Sequence, residues 1–222
     1  MSKIPVYFMP GLAASSSIFD NIKLPEDTFE MIKLDWIHPL KGESLKHYAK
    51  RLTESVTKKD AVLIGVSFGG VIVQEMARII PVRKVIIISS AKCNAEFPLR
   101  MRIARFGGLY KLLPTSLMSK VQNFEKIPIA ASSIRKKLKL YERYMGMHDP
   151  DYLDWAIKEL LLWDRFEPDS AVIHIHGDLD EVFPVKYIKN FTVIKGGTHI
   201  MILNKYRWLN KNLPKIILRE EK

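Results

Sequence analysis

The segment Ala61-Val62-Leu63-Ile64-Gly65-Val66-Ser67-Phe68-Gly69-Gly70 runs from an apolar stretch, through a serine flanked by glycines, into Gly70–Ile80, which is apolar almost all round. An unalternated apolar run of this length fits a strand of a parallel sheet covered on both faces. A helix that is apolar on every side is buried. The order is therefore strand, sharp turn, buried helix. Such a turn crowds the backbone, which is why Gly65 and Gly69 bracket the serine in a Gly-x-Ser-x-Gly pattern. It pushes the Ser67 hydroxyl out at the carboxyl end of the sheet, where the helix N-terminus favours negative charge. The alternative for the pentapeptide alone is a glycine-rich turn with an inert serine.

Outward from this segment the same rhythm recurs. Pro5–Met9, Phe29–Leu34, Lys84–Ile88, Ala171–Ile175 and Phe191–Ile194 are five further short apolar runs, several rich in Val and Ile. Ser44–Thr57 carries Leu45, Tyr48, Ala49, Leu52 and Val56 at helical spacing, and Ile200–Asn212 reads as a closing helix. Alternating strands and helices argue an α/β fold around a parallel sheet. The rhythm breaks once, from Cys93 to about Pro168. There Pro98, Pro114, Pro128 and Pro150 punctuate helix-like pieces at Leu99–Arg105, Ser133–Tyr144 and Tyr152–Leu162. The expected organisation is a core of residues 1–92 and 169–222 with a helical lid or cap over 93–168.

Composition narrows the class. The chain has 222 residues, 47% of them hydrophobic, and a formal net charge of +11. That length suits one domain with one insertion, and the apolar content excludes a disordered chain. A single cysteine, Cys93, leaves no internal disulfide framework and no cysteine-based zinc site. No apolar run approaches the ~18 residues of a membrane span. The N-terminal apolar stretch is short and broken by Pro5 and Pro10, against a signal peptide. With the low cysteine usage, this sets the expected location as cytoplasmic.

A serine hydroxyl needs a base within hydrogen-bond reach, and the base needs an orienting acid. After the fifth apolar run comes His176-Gly177-Asp178-Leu179-Asp180-Glu181-Val182-Phe183-Pro184, and after the sixth Gly196-Gly197-Thr198-His199. Both loops leave the carboxyl ends of strands, where open α/β sheets hold their sites. The chain order Ser…Asp…His fits this architecture.

On Gly65–Gly69, His176–Pro184 and Gly196–His199 the sequence resembles the α/β-hydrolase superfamily, over nearly its whole length. The resemblance implies a three-layer fold with a trimmed, six-stranded, mostly parallel sheet, helices on both faces and a helical lid; the superfamily's usual leading strand pair is missing. It matches Ser67 to the nucleophile and His199 to the general base. In the pattern His-Gly-x-x-Asp-x-x-x-Pro the acid is four residues after the histidine, which selects Asp180 and leaves Asp178 to stabilise the loop. The other acid position used in the superfamily follows Lys84–Ile88, and there Ser89-Ser90-Ala91-Lys92 offers no carboxylate. The oxyanion donors implied are the backbone N–H groups of Phe68 and Leu12. Pro10-Gly11 replaces the His-Gly usual before the second donor, which bears on loop conformation and substrate subclass. Dehalogenase and epoxide-hydrolase branches carry Asp at the elbow, and Ser67 argues against both.

The function expected is serine hydrolysis of a carboxylic ester or thioester through an acyl-enzyme on Ser67, without metal or organic cofactor. The alternatives are acyl transfer or C–C hydrolysis on the same three residues, and a non-catalytic protein that binds a ligand in the same fold. His174, His176, Asp178 and Asp180 lie close enough in sequence for a metal site; the plainer interpretation puts His176 in the loop motif and His174 in strand packing. Asp35 and His38 follow the second strand and border the expected pocket. Between residues 92 and 143 lie twelve Lys or Arg against three Glu, nine of the eleven net charges, densest at Arg135-Lys136-Lys137-Leu138-Lys139. This run is either a solvated helix face or a basic lid that attracts anionic substrates or an anionic membrane surface. No recognition motif supports specific nucleic-acid binding. Met101, Phe106, Leu109, Tyr110, Leu112, Leu113, Leu117, Met118, Met145 and Met147 either pack the lid on the core or line an acyl pocket over Ser67. Oligomeric state leaves no trace in the sequence.

Overall fold

The computed structural model describes residues 2–105 and 144–219. Six strands form one sheet: β1 (Ile4–Met9), β2 (Phe29–Lys33), β3 (Val62–Val66), β4 (Lys84–Ile88), β5 (Val172–Gly177) and β6 (Thr192–Ile194). Their order is β2-β1-β3-β4-β5-β6, and every pairing is parallel.

The unalternated strand sequences are explained by two cores, one on each face. Phe8, Ile64, Ile86 and Ile173 stand side by side in register, and so do Tyr7, Leu63, Val85 and Val172. The second row packs under α1 (Leu45–Thr53), α2 (Phe68–Met76) and α4 (Pro150–Leu162). The first row packs under Ile18, Phe19, α5 (Met201–Asn204) and α6 (Tyr206–Leu218). Period-2 alternation places neighbouring residues on opposite faces, so a strand covered twice has no polar side.

Helix ends follow local chemistry. Ser44 caps α1 by accepting from the His47 amide at 3.3 Å. Asp149 caps α4 by accepting from Tyr152 N–H at 2.9 Å, with Pro150 at the first helical position, where its missing N–H costs nothing. The predicted helix Ile200–Asn212 is instead two: α5 stops at Asn204, and α6 runs on through Pro214 to Leu218. A proline inside a helix removes a hydrogen bond. Here the buried stripe Leu209, Leu213 and Ile217 continues past it. Lys84 Nζ donates to the terminal carbonyls of Ile216, Ile217 and Arg219.

Of the segment read as a lid, residues 106–143 lie outside the described residues. With them go all of the predicted helix Ser133–Tyr144 except Tyr144, the basic run Arg135–Lys139, and Phe106 to Met118 of the apolar set. α3 (Leu99–Arg105) and α4 flank them. α4 is joined to α1: Trp155 Nε1 donates to the Glu43 carbonyl at 2.7 Å, and Leu45 N–H donates to Glu159 Oε2 at 2.8 Å. Cys93 is buried. Among the described residues no helix is long and apolar enough to cross a membrane.

Candidate active site

Ser67 sits between β3 and α2 with φ 52° and ψ −121°. A non-glycine residue there carries about 1–3 kcal/mol of backbone strain, so its neighbours must hold it. Its N–H donates to the Ile88 carbonyl at 3.0 Å, and its carbonyl accepts from Gly70 N–H at 2.9 Å and Ser90 Oγ at 2.7 Å. The flanking glycines permit close backbone crossings. A Cβ on Gly65 would be driven into the Gly69 carbonyl, and one on Gly69 into the Pro10 carbonyl. The elbow is thereby seated against the loop after β1.

Ser67, His199 and Asp180, predicted from three separate strand ends, form one hydrogen-bonded chain. His199 Nε2 lies 3.0 Å from Ser67 Oγ. His199 Nδ1 lies 2.9 Å from Asp180 Oδ2 and 3.2 Å from Oδ1. Asp180 is buried, and its Oδ1 also accepts from the amides of Val182 and Phe183, both at 2.9 Å. Burial works against its ionisation. The His199 hydrogen bond and charge, the Phe183 amide and the nearby His176 outweigh that, so the carboxyl titrates below its ordinary range. Asp178 bonds elsewhere: its Oδ1 accepts from Gly196 N–H at 2.6 Å, tying the β5 loop to the β6 loop.

Behind Asp180 lies a buried imidazole pair. His176 Nε2 donates to the Phe183 carbonyl at 2.8 Å, which fixes that nitrogen as the protonated one. His176 Nδ1 then accepts from His174 Nε2 at 3.0 Å. Burial first, and then the neighbouring imidazole, hold His174 well below the ordinary histidine value; burial also lowers His176. Both are neutral at pH 7. His176 closes the turn from the far side, since Phe183 gives its N–H to Asp180 and its carbonyl to His176.

Leu12 lies in the loop after β1 and lines a cavity of about 580 Å³ together with Ser67, His199 and Glu181. The rest of the described lining is apolar, including Ile18, Met145, Val182, Ile202 and Leu203. Among the described lining residues Glu181 is the only carboxylate, and there is no Lys or Arg. Phe68 opens α2, its side chain fully buried. No described group accepts from the N–H of Leu12 or Phe68. Asp35 and His38 do not border this cavity. They line a neighbouring one of about 440 Å³ with Trp36, His148 and Asp149, and the two share Ala14. Asp35 is held beside Ser16, whose amide it accepts at 3.1 Å.

Two residues were not singled out in the sequence. Ser90 holds the Ser67 carbonyl, and Trp36 donates from Nε1 to the Gly11 carbonyl at 3.0 Å. The available signal for Trp36 was an indole just past a strand end, since a buried indole N–H needs an acceptor.

No family model and no curated protein sequence matches the chain. Solved structures match it over nearly its full length. A carboxylesterase of the thaumarchaeon Nitrososphaera gargenis is 14% identical with a TM-score of 0.68, covering 97% of this chain and 90% of that one. The bromoperoxidase of Bacillus anthracis is 18% identical with a TM-score of 0.63, covering 99% and 93%. The chain has the α/β-hydrolase fold. The epoxide hydrolase of Bacillus megaterium shares it at 14% identity and a TM-score of 0.62, covering 98% and 94%. Three differently named proteins on one α/β-hydrolase fold leave the reaction to be argued from the site.

Proposed function

We propose that the chain is a serine hydrolase that cleaves a carboxylic ester or thioester with a neutral, apolar acyl group. The observation that carries this is the chain Ser67 Oγ–His199 Nε2, His199 Nδ1–Asp180, ending on a strained elbow that opens into an apolar cavity. His199 takes the Ser67 proton as Oγ attacks the carbonyl carbon. Asp180 keeps the Nδ1 proton in place and stabilises the imidazolium. The Leu12 and Phe68 amides donate to the oxyanion. Collapse breaks the bond to the leaving oxygen or sulfur, which receives the proton from His199. Water, deprotonated by His199, then attacks the acyl-enzyme and frees the acid and Ser67.

The cavity argues for the acyl class. Its described walls offer no cation to neutralise a carboxylate, and Glu181 repels one. An anionic group on the substrate belongs on the leaving-group side, outside these walls. A serine at the elbow also separates this chain from epoxide opening by a carboxylate nucleophile.

Intact-mass measurement after exposure to a fluorophosphonate probe tests the proposal. One adduct on the wild type and none on Ser67→Ala is expected, together with turnover of p-nitrophenyl acyl esters by the wild type alone. Folded wild-type protein that takes no adduct refutes the proposal and favours a ligand-binding role for the same cavity.

A further inference from the structure

Ala14 N–H also donates to the Gly11 carbonyl, at 3.0 Å. Gly11 C=O therefore accepts two hydrogen bonds, from the Trp36 indole and from the Ala14 amide. That carbonyl and the Leu12 N–H belong to one peptide group. The described residues include no cis peptide bond, and in a planar trans peptide the C=O and N–H point in opposite directions. Holding the carbonyl toward Trp36 aims the Leu12 N–H away from it. Gly11 itself lies against Ser67: a Cβ on Gly11 would lie 3.4 Å from Ser67 Cβ.

Trp36 is itself held on the second donor. Its ring stacks on that of Phe68 at 5.4 Å between centroids and 13° between planes, and it packs at 5.5 Å against Tyr152 of α4. Phe68 is the first residue of α2, and its backbone N–H is the other oxyanion candidate. One buried indole thus bears on the peptide of one donor and on the side chain of the other. Two hydrogen bonds accepted by a carbonyl also polarise its peptide and strengthen its N–H as a donor.

We propose that Trp36 is a positioning residue for the oxyanion site, fixing the Gly11–Leu12 peptide through its indole N–H and setting its spacing from the Phe68 amide through ring stacking. This rests on the hydrolase function proposed above. Its effect is confined to the tetrahedral state, because the Leu12 N–H meets full charge only there.

The test compares the wild type with Trp36→Phe, which keeps an aromatic ring on Phe68 and loses the donor. A second variant carries β-(3-benzothienyl)alanine at position 36, which keeps the two-ring shape and replaces N–H by sulfur. Readouts are kcat and KM for a p-nitrophenyl ester, and the inhibition constant of an arylboronic acid, which forms a tetrahedral anion on the serine. Both variants are expected to lose about tenfold in kcat, the worth of one ordinary hydrogen bond. That is less than the hundredfold or more lost when an oxyanion donor is removed outright. Boronate affinity should fall by the same factor with KM unchanged. Variants with wild-type kcat and boronate affinity overturn the proposal, and so does a loss confined to KM. Where Trp36→Phe folds poorly, the benzothienyl variant decides. A wild-type protein that takes no fluorophosphonate adduct overturns the hydrolase function and this proposal with it. Wild-type labelling beside unaltered variants overturns this proposal alone.

Discussion

Replacing Asp180 by Asn separates the roles that its two oxygens play. Oδ1 accepts the Val182 and Phe183 amides, and an asparagine carbonyl keeps both bonds. Oδ2, 2.9 Å from His199 Nδ1, becomes an NH₂ group. That donor forces Nδ1 to accept and moves the imidazole proton to Nε2, which then faces Ser67 Oγ as a donor. A histidine in this tautomer cannot take the serine proton. The expected loss in kcat is about 10³- to 10⁴-fold, or about 4–5.5 kcal/mol of transition-state stabilisation. The turn itself survives, so the protein should still fold and melt cooperatively. The acid side gives a second readout. The folded Asp180 carboxyl titrates below its ordinary value, so its stabilising contribution is present above about pH 4 and lost as pH falls through the lower folded value. The stability gap between wild type and Asp180→Asn should narrow below about pH 4. The control is Asp178→Asn, whose carbonyl still accepts from Gly196 N–H and whose activity should stay within about threefold of wild type. Ester hydrolysis, fluorophosphonate labelling rates and thermal melts against pH make the comparison. Asp180→Asn with more than a tenth of wild-type kcat, or Asp178→Asn equally impaired, would refute the assignment of the acid.

Three further outcomes follow from other parts of the site. His174 and His176 are held neutral by burial below their ordinary pKa; their contribution is present above about pH 6.5 and lost as pH falls. The melting temperature should therefore drop from pH 7 to pH 5, with a smaller slope in His174→Phe, and an unchanged slope would count against the buried pair. Gly69→Ala puts a Cβ against the Pro10 and Met9 carbonyls, neither of which is a yielding side chain; a loss of about 2 kcal/mol or more is expected in urea unfolding, and an unshifted midpoint would mean the β1 loop does not seat on the elbow. Leu203→Trp fills the apolar cavity from α5, so octanoyl esters should lose at least about tenfold against acetyl esters, whereas equal losses would place the acyl chain elsewhere.

The sheet was legible because strands covered on both faces cannot be confused with amphipathic ones: Val62–Val66 and residues 85–88 are apolar on consecutive residues, and each face has its own core. Ser67, Asp180 and His199 were legible because each lies in the turn or loop that leaves the carboxyl end of a strand. What stayed hidden was long-range support. Nothing local in Trp36 says that its indole reaches Gly11, 25 residues earlier in the chain. Nothing local in His174 says that its ring hydrogen-bonds to His176, which in turn backs the acid-bearing loop that follows. The closing helix expected over Ile200–Asn212 ends short of Pro214, a residue that a helix interior disfavours. α6 passes through it because Leu213 and Ile217 are buried on either side of the proline and Lys84, 132 residues before Ile216, holds the terminal carbonyls.

The strain at Ser67 has to be met by something rigid, and the hydrogen bonds show how the rigidity is divided. The Ser67 side is bound across β3 and β4, through Ser67 N–H to Ile88 and Ser90 Oγ to Ser67. The Asp180 and His199 side is bound across β5 and β6, through Gly196 N–H to Asp178 and Leu179 N–H to the Gly197 carbonyl at 2.9 Å. The two sides are joined below by Ser89 N–H to the Ile175 carbonyl at 3.1 Å, and above by the Ser67–His199 bond. Ser89 has φ 49° and stands, like Ser67, at the carboxyl end of a strand. The two strained serines therefore stand on adjacent strands of one half, with Ser89 on the strand that borders the other. A sheet that paired β4 with β5 one residue out of register would turn every strand side chain to the wrong face, which the double core forbids. The register is thus enforced by the apolar faces, and the placement of Ser67, Asp180 and His199 beyond the strand ends follows from it.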